Sequence, residues 1–323
     1  MLKNCVLFTL SANQELGKKV AAALGMELSP VSVKRFPSGE IIAESIETVR
    51  GKNVYIIQST CPPVNENLME LLIFVDSLKR SSAAEINVII PYFGYARQDR
   101  KAKPRQPISA RLVADLLKVS GVTRVVTVDL HAPQIQGFFS CLVDELATAP
   151  LYVATFLQDS HFNTKNLVTV SPDHGGVTRA RKIADGLNTP LAIIDKRRNS
   201  RLEPEVMNII GSVEGKDCLI VDDMIDTAGS ACAAADALIN AGAKSVKIIA
   251  THAVLSDPAF ERLSKSKFNQ IIVSDSIPLP ERFKELNCKV ISLAPMLAAS
   301  IKKIQLGEPL SVVYDMYKVE DHD

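Results

Sequence analysis

Short apolar runs alternate along the chain with longer segments whose apolar positions return at helical spacing. The runs 54–58, 87–91, 124–129, 167–171, 191–195, 218–222, 245–250 and 270–274 are rich in Val and Ile and bounded by polar or turn residues. They read as strands that are apolar on both faces. Segments 65–80, 107–119, 177–186 and 228–241 read as helices, and Gly121 and Gly242 stand where a helix C-cap favours glycine. Buried strands separated by helices predict βαβ units and a mainly parallel sheet flanked by helices. The rhythm runs twice, so the chain reads as two domains, 1–150 and 151–323, parted around Ala147 to Pro150. The two halves share this rhythm without a visible sequence repeat.

Composition narrows the class. A chain of 323 residues with 47% hydrophobic and 23% charged residues can bury two cores and is not disordered as a whole. Its 37 Lys and Arg stand against 36 Asp and Glu, a formal net charge of +1. That balance gives no global reason to bind nucleic acid. No apolar run approaches the ~18–20 residues of a membrane span. The run 5–10 is too short for a signal-peptide core and reads as a first strand. Six cysteines (Cys5, Cys61, Cys141, Cys218, Cys232, Cys288) show no CxxC or other paired spacing, so a reducing cytoplasm is the expected compartment.

Ligands of open parallel sheets bind beyond the carboxyl ends of the strands, so the chemistry is sought there. The segment 218–230, CLIVDDMIDTAGS, is the sharpest signal. An apolar strand ends in Asp222 and Asp223, Asp226 follows, and Thr227, Ala228, Gly229 and Ser230 lead into an Ala-rich helix. Small residues at a helix start present free N–H groups to an anion, and carboxylates accept hydrogen bonds from sugar hydroxyls. Together they describe a sugar phosphate. A turn with a helix cap accounts for one of the three acids, not all of them. In SPDHGGVTRA, 171–180, Asp173 precedes a glycine pair and can hold a divalent cation; a capped glycine turn is the alternative. His131 follows a strand just before Pro133, placed for metal or phosphate contact unless it is structural. Lys196, Arg197 and Arg198 follow another strand, and the basic stretch 95–103 follows a fifth. Beside a phosphate site such cations suit a polyphosphate in transfer; alone they would be a solvated face. There is no GxxxxGK[ST] motif and no kinase signature.

VDDMIDTAGS resembles the binding loop for phosphoribosyl diphosphate (PRPP) of the type I phosphoribosyltransferase fold. With PYFGYARQDRK, DLHAPQIQGFF, SPDHGGVTRAR and DKRR, in that order and spacing, nearly the whole chain resembles the ribose-phosphate pyrophosphokinase family. The resemblance implies two tandem type I phosphoribosyltransferase-like α/β domains, Mg²⁺ dependence, and the reaction of ATP with ribose 5-phosphate to AMP and PRPP. It assigns the 5-phosphate to Asp226, Thr227, Ala228, Gly229 and Ser230, and the ribose hydroxyls to Asp222 and Asp223. His131 and Asp173 would serve Mg·ATP. Lys196 and Arg198 would act on the transferred diphosphoryl group, with Arg198 also near the ribose phosphate. Arg97 and Gln98 would contact ATP. Phe36, with Ser38, Gly39 and Glu40, would meet the adenine from a neighbouring subunit; without the resemblance Phe36 reads as core packing.

The implied partners are ATP, ribose 5-phosphate, further copies of the chain in a dimer-based hexamer, and phosphate and ADP as allosteric ligands, with no nucleic acid and no membrane. Ser38 stands where the family often has an acid or amide, Ser230 where a Thr is common, and the C-terminal SVVYDMYKVEDHD departs from the usual SVSYLF-like ending. Two other readings stand beside this one: a phosphoribosyltransferase that consumes PRPP, and a non-catalytic homologue that assembles with an active enzyme.

Overall fold

The computed structural model describes residues 3–197 and 206–318. The chain divides into two compact units. The first holds the chain through Ala147, Ser276–Pro278 and Ser292–Val313. The second holds Thr148–Asp275, Leu279–Ile291 and the described residues from Tyr314. The division therefore differs from a single cut near residue 150, because segments after the cut return to the first unit.

In chain order the first unit contains β1 (Cys5–Thr9), α1 (Gln14–Leu24), β2 (Val31–Arg35), β3 (Ile41–Ser45), β4 (Asn53–Ile57), α2 (Val64–Arg80), β5 (Glu85–Ile90), α3 (Ser109–Ser120), β6 (Arg124–Val128) and β7 (Leu142–Leu146). Its main sheet runs β1-β4-β5-β6-β7. Every pairing in it is parallel. Parallel neighbours need crossover connections, which α2 and α3 supply. Phe8, Ile56, Val88 and Val125 are fully buried in the strands, against Leu71, Phe74 and Leu78 of α2. Phe8 meets Phe74 edge to face at 5.1 Å between ring centroids. β2 and β3 form a separate antiparallel hairpin.

The second unit continues with α4 (Ala149–Leu157), β8 (Leu167–Ser171), α5 (Val177–Leu187), β9 (Leu191–Arg197), β10 (Val206–Ile210), β11 (Asp217–Ile225), α6 (Gly229–Asn240), β12 (Ser245–Ala253), α7 (Ala259–Ser264), β13 (Phe268–Ser274) and β14 (Cys288–Ile291). Its sheet order is β10-β9-β8-β11-β12-β13-β14. Only the edge strand β10 is antiparallel. Ile194, Ile220 and Ile248 form the buried middle of this sheet, and Ala234, Ala235 and Leu238 of α6 pack in the same core. Alanines here bring the helix close to the sheet without leaving a gap.

The last helix, α8 (Ala294–Leu306), belongs to the first unit and packs on α1. Its Gln305 accepts a 2.9 Å hydrogen bond from the hydroxyl of Tyr55 on β4 and donates to the carbonyl of Lys3 at 3.0 Å. Among the described residues, no helix is long and apolar enough to cross a membrane.

Candidate active site

Strands β9, β8 and β11 are consecutive neighbours and parallel. Their carboxyl ends therefore lie side by side. The loop with Asp173 leaves β8, Lys196 stands one residue before the end of β9, and the acidic segment spans the end of β11 and the loop after it. Three of the segments singled out in the sequence are thus brought to one sheet edge of the second unit. Arg198 lies outside the described residues, as does the side chain of Lys196.

β11 runs further than the apolar pattern suggested. It ends at Ile225, so Asp222 and Asp223 sit within the strand, and Asp222 is registered against Ala250 of β12. Carboxylates there leave water. Asp223 is only 4% exposed, and Arg179 of α5 stands beside it, with Nη1 3.7 Å from Oδ1. The backbone N–H of Asp223 donates to Asp222 Oδ1 at 2.9 Å. Burial first, and then the adjacent Asp223 carboxylate, push Asp222 up to about 8. Near neutral pH the pair thus carries a proton as well as acceptor oxygens. Such a pair can both donate to and accept from vicinal hydroxyls.

Beyond Ile225 the chain turns sharply. Ala228, with φ +59°, is left-handed, and α6 begins at Gly229 with no side-chain cap on its N-terminus. An uncapped helix start leaves N–H donors and the positive end of the helix dipole for an anion. Arg262 of α7 donates from Nη1 to the carbonyl of Thr227 at 2.9 Å. A Cβ at Gly229 would lie 3.1 Å from that nitrogen, so glycine gives the guanidinium room beside the loop.

Asp173 turns its Oδ1 onto the N–H of Gly176 at 2.9 Å, and Ser171 Oγ donates to its carbonyl at 2.7 Å. One carboxylate oxygen thus caps the turn, as the structural alternative required. A Cβ on Gly176 would come within 3.1 Å of Ser171 Oγ. Neighbouring His174 pairs through Nε2 with Asp195 Oδ1 at 2.9 Å, tying the β8 loop to the end of β9. Arg179 and Asp195 fall within SPDHGGVTRAR and DKRR without a role of their own there, and Arg262 falls outside every motif, because their partners are far along the chain.

In the first unit, β5 and β6 are parallel neighbours, so the loops after them share a sheet edge. Arg97 and Gln98 lie on the first, His131 on the second, and all three are exposed. Gln134 Nε2 donates to Asp99 Oδ2 at 2.5 Å and joins the two loops. Gln98 accepts from Ser109 Oγ through its side chain, and its carbonyl accepts from Ala110 N–H at 3.2 Å, so it also anchors the start of α3. Phe36, Ser38, Gly39 and Glu40 form the connection of the β2–β3 hairpin. Gly39 is at φ +93°, and Ser38 Oγ donates to Glu40 Oε2 at 2.6 Å. Phe36 is 52% exposed, which corrects the reading of it as a core residue. A hairpin tip has no second layer to bury it.

Among the described residues, no three His, Cys, Asp or Glu side chains gather as a metal cage.

Comparison with known proteins matches two successive parts of the chain. Residues 5–121 match the model of the N-terminal domain of ribose phosphate pyrophosphokinase, and residues 143–281 match that of the phosphoribosyl transferase domain. A ribose-phosphate pyrophosphokinase of Fusobacterium nucleatum is 52% identical over 312 residues, covering 97% of this chain and 98% of the relative. One from Oceanobacillus iheyensis is 48% identical, covering 96% of each. The crystal structure of phosphoribosylpyrophosphate synthetase from Mycobacterium smegmatis superposes with a TM-score of 0.89 at 43% identity, covering 94% of this chain and 100% of that one.

Proposed function

This chain belongs to the ribose-phosphate pyrophosphokinase family, and from that premise we propose that it passes the β,γ-diphosphoryl group of ATP to the C1 hydroxyl of ribose 5-phosphate, releasing AMP and PRPP. It is an enzyme, a diphosphotransferase. The observation that carries the site assignment is the adjacency of β9, β8 and β11, whose ends bring Lys196, Asp173 and the acidic loop to one edge.

The uncapped start of α6 holds the 5-phosphate through residues 226–230. Asp222 and Asp223 orient the ribose through its hydroxyls, one carboxyl donating and the other accepting. Holding the sugar at both ends fixes the anomeric oxygen in line with the β-phosphorus, and diphosphoryl transfer depends mainly on such positioning and on charge neutralisation. Lys196 and Arg198 neutralise charge on the moving group. Arg97 and Gln98 hold ATP, and Phe36 with Ser38, Gly39 and Glu40 covers the adenine. An aromatic ring held out at a hairpin tip suits stacking rather than packing.

The donor chemistry fits Mg²⁺. Asp173 is a hard oxygen donor, and a cation that keeps most of its waters and binds substrate phosphates needs few protein ligands. His131, the softer donor, would hold it through water. When bound, Mg²⁺ supplies charge neutralisation to the phosphate oxygens. A dimer-based hexamer, phosphate and ADP as allosteric ligands, and a cytoplasmic setting for six free cysteines belong to the same proposal. Family membership supports the assembly and its ligands, and the mass in solution tests the hexamer.

The decisive experiment incubates pure protein with Mg²⁺, ATP and ribose 5-phosphate, with and without inorganic phosphate, and separates the products. AMP and PRPP in equal amounts are expected. ADP in place of AMP would mean single-phosphoryl transfer and would sink the mechanism.

A further inference from the structure

We infer that Arg262 is a positioning residue of the sugar-phosphate cradle, acting through the Thr227 carbonyl to aim and strengthen the backbone donors that receive the 5-phosphate. This rests on the reading of residues 226–230 as that cradle. Arg262 lies outside every motif that pointed to the site, on the short helix α7.

The geometry is direct. Arg262 Nη1 donates to Thr227 O at 2.9 Å. A trans peptide plane sets its C=O and N–H in opposite directions. Holding the Thr227 oxygen toward α7 therefore turns the following N–H, that of Ala228, away from α7. Ala228 occupies the left-handed region at φ +59°, which a residue with a Cβ holds only where its surroundings enforce it. The guanidinium restrains the peptide immediately before it. A charged donor on the carbonyl also polarises that peptide, which makes its N–H a better donor to an anion.

Two further observations place Arg262 against this turn. Its Nη1 stands 3.1 Å from where a Gly229 Cβ would be, so it lies alongside the first residue of α6. Its charge also reaches Cys232 within the same helix. Burial and Asp236 push the Cys232 thiol up, and Arg262 opposes them. A positive charge this close to the helix start adds to the dipole field that favours an anion. Since α6 offers no side chain to cap its own N-terminus, this external residue organises that end of the loop.

Steady-state kinetics of R262M, R262K and S230A, beside the unaltered chain, test the inference. R262M should raise the KM for ribose 5-phosphate about tenfold, the size expected for losing one charge-assisted hydrogen bond. The KM for ATP and kcat should stay within about twofold and threefold. R262K, which keeps a cationic donor, should recover most of the loss. S230A, which removes a hydroxyl from the cradle itself, should also raise the KM for ribose 5-phosphate. If S230A raises it and R262M does not, the role of Arg262 is wrong while the cradle stands. If neither variant moves it, the cradle assignment falls and takes the inference with it. Equal losses in kcat/KM for both substrates in R262M would reveal a merely structural arginine and overturn the proposal.

Discussion

Asp222 shows how a single residue can be set by its surroundings. Its proton is held up to about 8 against an ordinary 3.8, because burial and the Asp223 charge both oppose ionisation. The folded state therefore binds this proton more tightly than the unfolded chain does. Ionising Asp222 destabilises the fold, so its contribution falls as pH rises from about 4 toward about 8. Asp222→Asn removes the titration. Its melting temperature should exceed that of the unaltered ligand-free protein at pH 8, with a flatter profile between pH 5 and pH 8. Calorimetry across that range checks this, and parallel profiles would contradict it. The same variant should raise the KM for ribose 5-phosphate, since an amide cannot accept on both of its polar atoms. At Lys196 the expected signature is opposite. Lys196→Ala should lower kcat by orders of magnitude with a modest change in the KM for ribose 5-phosphate, as for a charge that acts on the transition state. Near-normal turnover would remove Lys196 from the chemistry.

At the scale of elements, the loops depend on contacts that fix where they start. The loop after β5 leaves through Gly94, whose N–H donates to Thr60 Oγ1 at 2.6 Å. A Cβ there would sit 2.5 Å from the Thr60 carbonyl oxygen, a backbone atom that cannot swing aside. Gly94→Ala should therefore displace the segment carrying Arg97 and Gln98 and cost about 1–3 kcal/mol. Thermal unfolding should show the loss, and the KM for ATP should rise more than that for ribose 5-phosphate. An unchanged melting temperature would mean that the two strands part without strain. The acidic loop depends on β11 in the same way. Its strand continues past the apolar run because ladder bonds to β12 carry it to Ile225, and this sets Asp222 half-buried and Asp223 buried within the strand.

At the scale of the molecule, chain order and spatial order part company at α8. Met296, Leu297 and Ile301 are buried, and Gln305 bonds the Tyr55 hydroxyl and the Lys3 carbonyl, all within the first unit. A chain ended at Ile291 should strip α8 from α1 and leave Tyr55 without that acceptor. The first unit should then unfold at lower temperature, while the second, which keeps its seven-stranded sheet, is less affected. Hydrogen exchange read separately over β1–β7 and β8–β14 would show this; equal loss in both units would contradict the division.

Local chemistry determined much of this protein. Strands β4, β5, β6, β8, β9, β11, β12 and β13 and helices α2, α3, α5 and α6 were legible, because continuous Val and Ile runs and helical spacing report burial directly. The acidic loop and the glycine pair were legible because small and charged residues at strand ends have few other uses. The β2–β3 hairpin, the edge strands β7, β10 and β14, and helices α1, α4, α7 and α8 were not singled out. Charged residues interrupt the apolar runs of β7 and β14, and α4 is apolar all round, so periodicity does not announce it. Phe36 could be placed at an exposed tip only by the hairpin's register, since an aromatic residue says nothing of which side of a surface it occupies. The proton on Asp222, the pairing of His174 with Asp195 and the hand of Arg262 on Thr227 were decided by tertiary structure alone. Each depends on groups 1–35 positions apart meeting in space, and burial and distance, which set their energies, exist only once the chain has folded.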